Sequence, residues 1–217
     1  EMTSSLVGSE MCIRDRCYSY YKNFYKNRAK IKSIRRSIMK IMILSDSHSV
    51  SKTDLLTLLK NNSVNYYIHC GDIYMTYDGI NLNSFYLVRG NNDFGNIPDE
   101  LFITIDDLKF YIVHGHRYDV DYNLDYLTHI AKEKGADIVC FGHTHRPYYD
   151  FHEGITFINP GSVCYPRGQY RNPTYCIFDT KTKKSTFYDV TTLEPCDPFS
   201  PMERPKRKEP FYKKWFK

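Results

Sequence analysis

Ile41-Met42-Ile43-Leu44-Ser45-Asp46-Ser47-His48 is an apolar run that stops on a carboxylate and an imidazole. A buried strand of an α/β sheet reads this way, as unbroken hydrophobic residues with polar ones at the carboxyl end. Ligands of open α/β sheets bind outside that end. If the strand continues through them, Asp46 and His48 point to the same side. The same letters also describe a strand followed by an ordinary turn with a helix-capping Asp, and the pair alone does not choose. Four later stretches repeat the arrangement and decide it.

Outward from that strand the chain alternates. Ser51–Lys60 reads as a helix with Leu55, Leu56, Leu58 and Leu59 gathered on a face and Asn61-Asn62 ending it. Val64–Cys70 is a strand closed by Gly71-Asp72, and Ser84–Arg89 is another closed by Gly90-Asn91-Asn92-Asp93. Leu101–Ile105 and Leu108–His114 flank Asp106-Asp107 as a hairpin. Asn123–Lys134 is expected to be a helix stopped by Gly135. Asp137–Phe141 is a further strand, closed by Gly142-His143-Thr144-His145. The pattern then turns all-β, with strands at Tyr148–Phe151, Ile155–Ile158, Thr174–Asp179 and Thr186–Val190. Mixed α/β followed by antiparallel strands predicts two packed sheets with helices outside.

Both ends differ from this core. Ser4–Arg16 (SSLVGSEMCIRDR) resembles translated sequencing-adapter read-through, and Cys17–Ser37 is rich in Tyr, Lys, Asn and Arg without an apolar stripe. Residues 1–38 are therefore expected to stand outside the domain, as upstream sequence or a basic arm, with the domain at 39–193. Residues 194–217 carry five prolines among charges and read as a tail.

The net charge of +5 lives in these ends: 1–38 hold nine basic against three acidic residues, while 39–193 hold fourteen against eighteen. A weakly acidic core is a poor match to a phosphate backbone unless bound cations change its sign. Nucleic acid is thus not indicated by the core. Hydrophobic residues make up 41% and charged residues 25%, ordinary for a globular protein. No apolar run approaches the roughly 18 residues that cross a bilayer, and Leu6-Val7 is too short for a signal peptide core. Seven cysteines, an odd number with no Cys-x-x-Cys, point to reduced thiols. The expected location is cytoplasmic.

The strand ends collect Asp46, His48, Asp72, Asn91, His114, His143 and His145. Imidazole and carboxylate donors without thiolate suit manganese, iron or zinc. Seven are too many for one tetrahedral ion and suit two ions sharing a carboxylate.

In these blocks the chain resembles the calcineurin-like metallophosphoesterases, whose pattern is D-x-H, G-D, G-N-x-D, H and G-H-x-H. All are present, as Asp46-Ser47-His48, Gly71-Asp72, Gly90-Asn91-Asn92-Asp93, His114-Gly115-His116 and Gly142-His143-Thr144-His145. The small prokaryotic phosphodiesterases of the YfcE type are the nearer likeness, through the compact length, His-Gly-His and Asn159-Pro160-Gly161-Ser162. The resemblance implies a four-layer α-β-β-α sandwich of two mixed sheets. It implies that Asp46, His48 and His145 bind a first metal, that Asn91, His114 and His143 bind a second, and that Asp72 bridges. Manganese is the first expectation, with iron, zinc or nickel as alternatives.

Two cations roughly 3.5–4 Å apart would clamp phosphoryl oxygens and lower the pKa of a bridging water toward about 7. The hydroxide would then attack phosphorus in line. One departure counts. Many relatives place His directly after the Gly-Asn asparagine, where it can protonate the leaving oxygen; here that residue is Asn92. An amide supplies no proton at neutral pH. His116 becomes the nearest general-acid candidate, or a ligand of a phosphate oxygen, and small phosphodiesters with good leaving groups become the expected substrates. Asn92 and Arg167 are the candidates for binding substrate, Arg167 through its phosphate, and Asp93 is one for orienting a ligand or capping the next element. His69, just before Cys70-Gly71-Asp72, reads as a packed histidine. The competing readings are a catalytically silent scaffold, which expects ligands to have been lost, and a nuclease, which expects a basic groove. The oligomeric state stays open.

Overall fold

The structure is a computed structural model, and it describes residues 38–74 and 84–200. The extension through Ser37 and the chain from Pro201 onward lie outside the described residues. The elements in chain order are β1 (Lys40–Leu44), α1 (Lys52–Lys60), β2 (Tyr66–His69), β3 (Phe85–Leu87), β4 (Glu100–Ile105), β5 (Leu108–Val113) and α2 (Asp125–Lys134). There follow β6 (Ile138–Cys140), β7 (Pro147–His152), β8 (Ile155–Pro160), β9 (Thr174–Asp179), β10 (Lys184–Asp189) and β11 (Pro195–Cys196). One sheet has the order β11-β10-β9-β1-β2-β3, the other β4-β5-β6-β8-β7. Both are mixed: β1, β2 and β3 are parallel to one another, as are β5, β6 and β8, with antiparallel strands at the flanks.

Strand β1 shows why the sheets must be covered on both faces. Ile41 and Ile43 turn one way and Met42 and Leu44 the other, and all four are fully buried. Ile41 and Ile43 join Ile68, Phe110, Ile112, Ile138 and Ile158 in a core between the two sheets. Phe110 meets Phe178 edge to face there, with ring centroids 5.8 Å apart. Met42 and Leu44 instead pack under Leu55, Leu58 and Leu59 of α1. On the far side, Tyr111, Val139 and Phe157 pack with Leu127 and Ala131 of α2. Helix, sheet, sheet, helix is the four-layer sandwich that was expected. At about 1.5–3 kcal/mol for each large apolar side chain removed from water, these three clusters are the main stabilising term.

The differences from the sequence reading are local. Ser51 caps α1, its side chain accepting from Asp54 N. Helix α2 begins at Asp125 rather than Asn123, because the Asn123 side chain accepts the Asp125 N–H and holds the chain in a turn. It ends at Gly135, in the left-handed conformation at φ 68°. The strands expected through Cys70, Arg89 and Phe141 stop early, at His69, Leu87 and Cys140. Their final residues leave the ladder to build loops. Beyond Glu194 the chain is not all tail: Pro195–Cys196 adds an edge strand to β10, and Phe199 packs on Phe187. Pro at an edge sacrifices no ladder bond. All five cysteines among the described residues are free, and none of the helices there is long and apolar enough to cross a membrane.

Candidate metal centre

The loops after β1, β2, β3, β5 and β6, all at carboxyl ends of parallel strands, carry the seven residues singled out above. They converge. Asp46, His48 and His145 present donor atoms within 4.8 Å of one another, and so do Asp46, Asp72 and His114. Asn91 Oδ1 lies 3.1 Å from both His114 Nε2 and His143 Nδ1. Asp72 Oδ2 stands 3.6 Å from His48 Nε2 and 3.5 Å from His114 Nε2, between one histidine of each expected set.

The backbone is bent to achieve this. Asp46, His48, Asp72, His143 and His145 all have positive φ, between 35° and 70°. Each such non-glycine residue costs on the order of 1–3 kcal/mol and persists only where its surroundings hold it. Backbone bonds hold the crossing: Asp46 N donates to Gly71 O and His48 N to Asp72 O, each at 3.0 Å. Asp93 accepts from Asp72 N, Gly90 N and Tyr74 N, each at 2.8 Å. Ser162 Oγ donates to Asp46 O, and Asn159 Nδ2 to Gly142 O. Asp99 receives both Arg89 and Arg117, tying the Asn91 loop to the His114 loop.

Divalent cations fit the donor set. His114 Nδ1 lies 2.7 Å from Cys70 O and His145 Nδ1 2.7 Å from Tyr165 O, so each ring donates there and aims Nε2 inward. His114 Nε2 faces the oxygen Asn91 Oδ1 at 3.1 Å. That pairing is satisfied by a positive charge, carried by a proton or by a bound cation. His48 Nε2 and His145 Nε2 are similarly 3.2 Å apart. Asp46 is fully buried, and its Oδ1 stands 3.2 Å from His145 Nε2 without hydrogen-bond geometry. A buried carboxylate needs a positive charge beside it, and a cation between these atoms would supply one.

The charges agree. Burial alone would lower His114 and His145, but the carboxylates of Asp72 and Asp46 outweigh it and raise both. Burial would raise Asp72, but His114 and the Asn92 N–H groups hold it well below the usual carboxylate range. His69 is pushed down to about 4 by burial. Gly71 N donates to its Nδ1, so its Nε2 carries the proton given to Ser47 Oγ at 3.0 Å. It is a neutral strut, as the sequence suggested.

Asn92 donates from N and Nδ2 to the two oxygens of Asp72, at 2.8 and 2.7 Å. It faces a cavity of about 240 Å³ shared with Tyr165 and Arg167. The Tyr165 ring lies 5.5 Å from that of His48. His116, the expected general-acid candidate, stands beside His114 and His143, with ring centroids 5.4 and 6.1 Å away, and is not among the residues that line this cavity. Burial, reinforced by His114 and Arg117, pushes its pKa down to about 4, which leaves the ring neutral.

Sequence reasoning missed Asp121, whose Oδ2 lies 3.0 Å from His143 Nε2 and turns Nδ1 toward Asn91. Nothing in Asp119-Val120-Asp121-Tyr122 marks it, because the contact crosses from the loop after β5 to the loop after β6. Replacing Asp121 with Ala is expected to weaken manganese binding about 10–100-fold with little change in melting temperature, measurable by calorimetry.

A two-sheet sandwich with paired clusters of imidazole and carboxylate donors at its parallel strand ends defines a phosphoesterase of the metal-binding kind. Residues 39–183 match the calcineurin-like phosphoesterase superfamily domain, and the chain belongs to that superfamily. It is 36% identical over 156 residues to the probable metallophosphoesterase YsnB of Bacillus subtilis, covering 70% of this chain and 91% of that one. It is 32% identical over 170 residues to phosphodiesterase MJ0936 of Methanocaldococcus jannaschii, covering 67% and 96%. Among solved structures, a conserved protein of Streptococcus pneumoniae TIGR4, described as a predicted phosphoesterase, superposes with a TM-score of 0.65 at 28% identity, covering 72% and 92%. These relatives are the small prokaryotic type that the motifs resembled.

Proposed function

We propose that the protein is a metal-dependent phosphodiesterase acting on small diesters with good leaving groups. The observation that carries this is the inward aim of His114 and His145, fixed by backbone carbonyls, toward the buried carboxylates of Asp72 and Asp46. Asp46, His48 and His145 would hold one divalent cation, Asn91, His114 and His143 the other, with Asp72 between them. When bound, such a pair neutralises phosphoryl oxygens and makes water nucleophilic near neutral pH. Arg167, on the cavity wall, is placed to bind a phosphate oxygen. Asn92 fixes Asp72 and gives up no proton, and His116 is not among the residues that line the cavity. With no acid to protonate an expelled alkoxide, diesters of acidic alcohols are favoured. The scaffold reading expects missing ligands, and all seven are here.

The test is hydrolysis of bis(4-nitrophenyl) phosphate by protein stripped with chelator and reloaded with manganese, iron, zinc or nickel. Activity should vanish on stripping and return with metal, highest with manganese. A metal-replete protein that leaves the diester intact removes the proposal. Asn92→His should raise turnover of diesters with poor leaving groups, by about 10²-fold if the imidazole takes up general-acid work. An unchanged dependence of rate on leaving-group pKa would count against this account of Asn92.

A further inference from the structure

A second cavity, of about 300 Å³, adjoins the first and is lined by Arg146, Arg167, Gly168, Tyr170 and Phe199 among others. Arg167 belongs to both walls. Both arginines are anchored on His145. Arg146 is the next residue, and Arg167 N donates to His145 O at 2.9 Å. Gly168, at φ 96°, turns the chain so closely that a Cβ there would stand 3.5 Å from Arg146 Cγ. Two like charges are thus brought to one cavity. No carboxylate lines it, and neither guanidinium has an ion pair among the described residues. Arg146 also borders the larger cleft that contains Asp121, Asp125 and Asp150, yet pairs with none of them. Two exposed arginines on the wall of one cavity without a carboxylate partner, with forks suited to bidentate contact, match an anionic oxygen-rich group.

We propose that this cavity binds a second phosphate of the ester whose first phosphate sits among the seven donors, so that the substrates are phosphodiesters carrying a further phosphate group. This rests on the phosphoesterase reading of the neighbouring site. Tyr170 and Phe199 supply apolar contact for the organic part that joins the two phosphates.

The test compares binding of thymidine 3′,5′-bisphosphate and thymidine 5′-monophosphate to the manganese-loaded full chain by calorimetry. The bisphosphate should bind about tenfold more tightly, the size of one charge-assisted contact. Arg146→Gln should reduce that ratio to about twofold, and Arg146→Lys, which keeps the charge without the fork, should leave it between the two. A ratio near one in the native protein, or one that survives Arg146→Gln, overturns the proposal. Hydrolysis of bis(4-nitrophenyl) phosphate is followed in the same preparations. A tenfold ratio without hydrolysis leaves the second-phosphate cavity standing and removes the phosphodiesterase. Hydrolysis with a ratio near one does the reverse.

Discussion

Asp72→Asn should lower turnover of bis(4-nitrophenyl) phosphate by about 10³-fold or more, comparable to losing a preorganised electrostatic contact in a catalytic site, and leave the fold intact. The substitution isolates charge from shape. Asp72 sits at φ 56°, a conformation asparagine adopts readily. Its Oδ1 can still accept from Asn92 N, as it does now at 2.8 Å. What changes is the other atom. Oδ2 accepts from Asn92 Nδ2 at 2.7 Å and faces His48 and His114. An amide NH₂ there would oppose another donor and offer no negative charge to either proposed cation. Manganese affinity measured by calorimetry should fall with turnover. The metal-free melting temperature should fall only modestly, through the lost contacts of the ionised carboxylate with His114 and Asn92. A loss of turnover and metal affinity far larger than that loss of stability separates a ligand from a structural residue. Turnover within tenfold of native would remove Asp72 from the centre.

The frame of this site was legible because each block couples a physical signal to a chemical one. A strand reads as an apolar run, its end as a glycine or a sudden polar residue, and the candidate metal donors stand at that end. Five such blocks placed β1, β2, β3, β5 and β6 and their loops. The facing of Ile41 and Ile43 against Met42 and Leu44 follows from period-two geometry once both sheet faces are covered. The hidden features depend on contacts between segments distant in sequence. Asp121 reaches His143, and Tyr165 O orients His145, because loops happen to pass there. His116 stands two residues from His114, and sequence spacing does not say that it is absent from the wall of the cavity. Arg146 and Arg167 are 21 positions apart in sequence, and contacts of the Tyr165–Gly168 loop with His145 and Arg146 bring them together. Phe199 was assigned to a tail by proline content, a signal that cannot register its packing on Phe187.

A single methyl group tests how far the site depends on its turns. Gly90 donates its N–H to Asp93 Oδ2, the same oxygen that accepts from Asp72 N. A Cβ on Gly90 would stand 2.1 Å from Asp72 Oδ1 and 2.3 Å from Asp72 N. The neighbour is backbone as well as carboxylate, so no rotamer change clears it. The loops after β2 and β3 must separate, breaking the Asp93 knot and moving both Asp72 and Asn91. Gly90→Ala should therefore destabilise the protein by about 3 kcal/mol, at the upper end of overpacking costs. That corresponds to a melting temperature lower by roughly 6–12 °C for a domain of this size. Manganese binding should weaken at least about 100-fold, since first donors and not only their supports are displaced. Gly95→Ala is the control, because nothing lies within 4 Å of its added Cβ and only its φ of 96° is strained. It should cost about 1 kcal/mol and leave metal affinity unchanged. Equal melting and equal manganese affinity in the two variants would show that the contact between Gly90 and Asp72 does not set the spacing of the centre.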